Sequence, residues 1–133
     1  MKKILPAVCV FASLLTYAQS NIDNEIVGTW SVVSVNRLTI PPQAKMDPTK
    51  DYDEIVRSMR FEFGSDHHFR VETSDPQYSL DDGYWLAKGN RVAIGKWEDQ
   101  GANLSSMTLD VQLRDGTWFF VVAGIADIEV RKD

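Results

Sequence analysis

Only two histidines occur in the chain, His67 and His68, and Asp66 and Glu72 stand close to them. Imidazole nitrogens beside carboxylate oxygens form a zinc-type donor set. Adjacent residues of a strand point to opposite faces, so both rings reach one ion only from within a turn. The simpler reading has His67 capping a hairpin turn and His68 on a solvated face with Arg70 and Glu72. The acid pair Asp81-Asp82, and the group Asp51, Asp53 and Glu54, lack the ligand spacing of a calcium loop. They read as turn formers and solvated charge, Asp81 and Asp82 in a turn before Gly83. Serines are present without a nucleophile turn, and the only candidate bases are the two histidines already placed. No catalytic residue, no metal and no cofactor is expected.

The one cysteine, Cys9, falls in the first eighteen residues. There Lys2 and Lys3 precede an apolar run at 4–17, and Thr16-Tyr17-Ala18 supplies the small residues that signal peptidase favours. Residues 1–18 therefore read as a cleaved secretory signal and 19–133 as one domain, exported to the periplasm or beyond. Pro6-Ala7-Val8 before Cys9 does not resemble a lipid-attachment site. The apolar run falls short of the roughly 20 residues that span a bilayer, so no membrane span is expected after cleavage. Without a later thiol, disulfides, thiolate metal sites and cysteine nucleophiles are excluded for the exported part. Cleavage removes two of the 14 basic residues and none of the 19 acidic ones, leaving 12 against 19 and a net charge of −7. Nucleic acid is a poor partner for that charge.

Period-two alternation dominates the rest, bounded by Gly, Asp, Asn and Pro. Met59, Phe61 and Phe63 share one face; after the turn Gly64-Ser65-Asp66-His67, Phe69 and Val71 do the same. Met107, Leu109, Val111 and Leu113 alternate with Ser106, Thr108, Asp110 and Gln112 before Asp115-Gly116, a strong hairpin signal. Further strands fit at 30–35, 84–87, 91–95 and 118–123, the last apolar on both faces and so covered outside. Ala126, Ile128 and Val130 close the chain, and a short run at 78–80 would bring the strand count to eight or nine. Short linkers imply an all-β, up-and-down antiparallel β-barrel of about eight strands, because closure removes exposed edges. Prolines 41, 42 and 48 break the pattern over 36–58, where Asp51 and Glu54 suggest a capping box on a short helix. That piece would cross one end of the barrel, as a plug burying Ile55 and Val56 or as a lid.

Gly28-Thr29-Trp30 opens the first strand, and Gly83-Tyr84-Trp85 repeats the Gly-x-Trp spacing. With Phe61-Glu62-Phe63-Gly64-Ser65-Asp66, Phe69-Arg70-Val71 and Gly89-Asn90-Arg91-Val92-Ala93-Ile94 in order, residues 26–131 resemble the short bacterial lipocalin-like domains. The resemblance implies a barrel floor plugged by Trp30, a bend at Gly28 and a basic residue of the last strand, Arg131, stacked on the tryptophan. The second and third motifs of full-length lipocalins find no counterpart here, nor does a disulfide.

Inward positions by alternation are Val32, Met59, Phe61, Phe63, Phe69, Val71, Leu86, Val92, Ile94, Leu109, Val111 and Phe120. If the barrel is hollow, it binds a small hydrophobic ligand, with fatty acids and similar compounds fitting best. Candidate ligand-binding residues are Phe61, Phe63, Phe69, Tyr84, Leu86, Leu109, Val111 and Phe120, with Tyr84, Ser34 or Tyr78 orienting a polar group. If side chains fill it, the domain is a scaffold for a protein partner, an exported inhibitor or accessory subunit, with Tyr52, Tyr78, Trp85 and Trp97 as exposed anchors.

Overall fold

The computed structural model describes residues 22–40, 47–99 and 107–133. The expected signal at 1–18, Pro41-Pro42, and Gln100-Gly101 after Trp97 lie outside them. Eight strands among the described residues close into an antiparallel up-and-down barrel in chain order: β1 (Gly28–Leu38), β2 (Arg60–Phe63), β3 (His68–Glu72), β4 (Leu80–Lys88), β5 (Arg91–Lys96), β6 (Met107–Arg114), β7 (Thr117–Val122) and β8 (Ala126–Lys132). β8 pairs with β1 to complete the closure, so every strand has two neighbours. Asp115 (φ 51°) and Gly116 (φ 81°) both take the left-handed conformation that a tight two-residue hairpin requires.

Among the described residues, two short helices flank the barrel ends. α1 (Ile22–Ile26) precedes β1 and buries Ile26 completely. α2 (Tyr52–Arg57) lies between β1 and β2, where Asp51 caps it by accepting from the Glu54 amide at 3.2 Å. It buries Ile55, while Val56 packs against the barrel core.

Several expectations need correcting. The run at 78–80 is not a ninth strand, because Pro76–Tyr78 forms a 3-10 turn capped by Asp75, and β4 starts at Leu80. Asp81 and Asp82 consequently lie in β4 and not in a turn. β4 also has the opposite phase from the one expected. Trp85 and Ala87 face Ile94 and Val92, whereas Leu86 faces Ala93. Directly opposed residues share a face, so Trp85 is 1% exposed inside and Leu86 is 42% exposed outside. On β7, Phe119 opposes Gln112 and Glu129 on the outer face, as the doubly apolar run implied. The Arg114 guanidinium covers its ring at 4.2 Å, held there by Gln112 and Asp127.

Candidate functional site

One half of the barrel is solid. Trp30 is 1% exposed and packs edge-on against Trp118 (5.8 Å between ring centres) and tilted against Phe120 (5.4 Å). Phe63 meets Phe69, Trp85 and Phe120 at 5.0, 5.8 and 6.0 Å. Burying an indole strands its N–H unless an acceptor is supplied. Trp30 donates to the Ile26 carbonyl at 2.8 Å and Trp85 to the Gly64 carbonyl at 2.9 Å. The glycines of both Gly-x-Trp motifs are sterically required. Gly28 has φ 135°, and a Cβ on it would sit 2.7 Å from the Lys132 side chain; a Cβ on Gly83 would sit 2.8 Å from the Phe69 carbonyl oxygen.

The cation over Trp30 is not Arg131, which points into solvent. Lys132 takes the place, its Nζ 5.7 Å from the Trp30 ring centre and donating to the Glu25 carbonyl at 2.8 Å. Ala126, Ile128 and Val130 are the buried residues of β8, so the next inward-facing position in that alternation is 132.

The other half is hollow. A cavity of about 520 Å³ opens between the ends of the strands farthest from Trp30. Leu38, Val122, Ile125, Ala126 and Ile128 line one side, and Met107, Thr108 and Leu109 continue the wall along β6. Val71, Met59, Val56 and Tyr78 complete it. Phe61 forms its floor, edge-on to Phe120 at 5.3 Å, and so belongs to both halves. No charged side chain lines the cavity among the described residues.

Of the eight candidate ligand residues, the structure brings Phe61 and Leu109 to this cavity. Phe63, Phe69, Val111 and Phe120 are buried outside it, in the packed core. Tyr84 lies on the outer face with Leu86, next to His67 and Trp97. Of the candidate polar contacts, Tyr78 is in the wall, whereas Ser34 turns to Asn36 and Glu129.

The histidines have separate surroundings. His67, at φ 71°, closes the β2–β3 turn, and its Nδ1 lies 3.0 Å from the Trp85 carbonyl. A carbonyl only accepts, so Nδ1 carries the proton. His68 stacks flat on Trp97 (3.6 Å, 5°) while its Nδ1 meets Asp66 at 2.9 Å. Hydrogen bonds from the His68 backbone and side chain hold Asp66 below the usual carboxylate range. No group of three His, Cys, Asp or Glu among the described residues is placed to hold a metal ion. Trp97 is half-buried by its stack, Trp85 is buried, and Tyr52 and Tyr78 pack edge-on at 5.9 Å.

A clasp joins two segments beside the cavity. Lys50 Nζ lies 2.6 Å from Asp75 Oδ2 and 2.6 Å from Gln77 Oε1, and the Ser58 hydroxyl accepts from the Ser74 amide at 2.8 Å. The Lys50 hydrogen bond lowers the Asp75 pKa, and the same contact raises that of Lys50. The Asp75 contribution is therefore complete above the ordinary carboxylate value near 3.9 and is lost as pH falls through its depressed value. The Lys50 contribution is complete below about 10.4 and is lost as pH rises through its raised value. Amide-exchange protection at Gln77, Tyr78 and Ser79 should thus stay level between about pH 4.5 and 10 and fall outside that window. Protection that changes in the middle of the window would mean that this ion pair does not hold the segment.

No protein-family model matches the chain, and neither a curated protein nor a solved structure matches it.

Proposed function

We propose that the barrel binds an apolar or amphipathic small molecule in its hollow half, without catalysis. The observation that carries this reading is the division of the interior. Five large aromatic side chains, Trp30, Phe63, Phe69, Trp85 and Phe120, fill one half. Mostly aliphatic side chains leave about 520 Å³ unfilled in the other. Small-molecule sites typically measure about 300–1,000 Å³ and are mostly apolar with a few polar groups. The resemblance of residues 26–131 to lipocalin-like domains and the signal-like segment at 1–18 support the same reading, with the binding protein outside the cytoplasm.

The interaction-scaffold alternative draws less support. Its four aromatic anchors are engaged within the fold, Trp85 in the core, Trp97 on His68, and Tyr52 and Tyr78 on each other.

Burying ten methylenes is worth about 8 kcal/mol before the cost of association is subtracted. Titration with an environment-sensitive probe on an aliphatic chain should therefore give one saturable site with a micromolar or weaker Kd. A linear, unsaturable response would remove the binding reading.

A further inference from the structure

We propose that ligand enters and leaves through the side of the barrel, by an outward swing of α2, and that the Lys50–Asp75 ion pair sets how often this panel opens. The inference rests on the binding reading above and assigns its route of exchange.

A break in the sheet is the first observation. β1 pairs with β8 as far as Leu38, but its ladder with β2 ends where Ser31 opposes Arg60. Over 32–38, therefore, β1 has no ladder on its β2 side among the described residues. α2 packs against β1, and its Val56 lines the cavity together with Leu38 of β1, Met59 just before β2 and Val71 of β3. A helix thus stands in the wall where a strand ladder would otherwise run.

The fastening of α2 is the second observation. Its backbone bonds from Ile55 to Asp51, from Ser58 to Glu54 and from Met59 to Val56 close within the segment itself. Side chains tie it to the turn at 73–79: Lys50 Nζ to Asp75 and Gln77 at 2.6 Å each, Tyr52 edge-on to Tyr78, and the Ser58 hydroxyl to the Ser74 amide. Ladder bonds open with the sheet, whereas an element held by a few partly exposed side chains opens locally at lower free energy. Ile55 is 7% exposed, so opening uncovers an aliphatic side chain and the open state stays a minor population. Ser58 and Met59 run directly into β2, which makes that end the pivot and the Lys50 end the one that moves.

The test follows association and dissociation of a fluorescent probe on a dodecyl chain by stopped flow, using the full chain. A carbodiimide joins the Lys50 amine to the Asp75 carboxyl as an amide, taking up the expelled water as a urea. With its position verified by peptide mass spectrometry, this cross-link should slow both rates at least about tenfold and leave Kd within about twofold. Lys50→Arg keeps the ion pair but forms no such amide, so the same treatment should leave its rates unchanged. Lys50→Met should speed both rates about two- to fivefold, the range of one partly exposed ion pair, with Kd again within about twofold. Exchange at parental rates by the cross-linked protein would overturn the side route and leave the binding reading intact. A Lys50→Met effect on dissociation alone would do the same, since it marks a ligand contact. Absence of saturable binding by the parent removes both.

Discussion

Trp30→Ala should lower the unfolding free energy by about 3 to 5 kcal/mol, the range for removing a large aromatic side chain from a packed core. Trp30 is 1% exposed, its neighbours Trp118 and Phe120 are themselves rings in a rigid layer, and its indole N–H satisfies the last carbonyl of α1. The variant leaves both a void and an unpaired acceptor at Ile26. A small domain has a total stability of only about 5 to 15 kcal/mol, so the loss should be plain in a denaturant melt. Lys132→Ala should cost much less, because its ammonium is at the surface and gives up one cation–π contact and one hydrogen bond. Arg131→Ala should fall within about 0.5 kcal/mol of the parent, as surface substitutions do. A Trp30→Ala protein as stable as the parent would show that Trp30 does not plug the barrel. An Arg131→Ala cost exceeding that of Lys132→Ala would contradict the assignment of the cation.

The strands were legible because most carry a one-sided alternation. Phe61 with Phe63, Phe69 with Val71, and Leu109 with Val111 announce both a strand and its inner face. Tyr84-Trp85-Leu86 is apolar on both parities, so alternation alone leaves its phase undetermined. The missing constraint lies in the next turn. Gly89-Asn90 joins Lys88 to Arg91 as opposed residues, and counting back from there puts Trp85 beside Ile94. Position 132 was legible in the same way, as the next step after Ala126, Ile128 and Val130. Arg131, the residue expected over Trp30, is one residue out of phase.

The site was less legible than the fold because alternation sorts residues into inside and outside but not into the two ends. Phe63, Phe69, Val111 and Phe120 are inside, as expected, yet they pack the plugged half. Up-and-down connectivity supplies the missing coordinate once Trp30 marks one end. The far end then receives the C-terminal ends of β1 and β7 and the N-terminal ends of β6 and β8. Leu38, Val122, Met107 and Ala126 occupy those places, and all four line the cavity. Tyr78 had a weaker signal. Its place in the wall depends on the turn that Asp75 and Pro76 start, where the residues were read as a short strand.

Val122→Trp should abolish binding of the aliphatic-chain probe, with at least about a hundredfold loss of affinity, equivalent to roughly 2.7 kcal/mol. Val122 is half-buried at the end of β7, opposite Ala126, and both residues line the cavity. An indole there has room to enter the hollow half without displacing any of the packed aromatic rings. Aromatic residues suit a strand position, so the fold should be kept and its melting temperature should stay near the parent's. Ile125→Trp, placed on the β7–β8 turn and also lining the cavity, gives a second obstruction if overpacking unfolds the first variant. Leu113→Trp is the control, since Leu113 is 56% exposed and does not line the cavity. The three variants separate obstruction of the site from the mere addition of an aromatic ring. Parent-like probe binding by a folded Val122→Trp protein would place the ligand elsewhere, because an indole at that position and a dodecyl chain compete for the same apolar space.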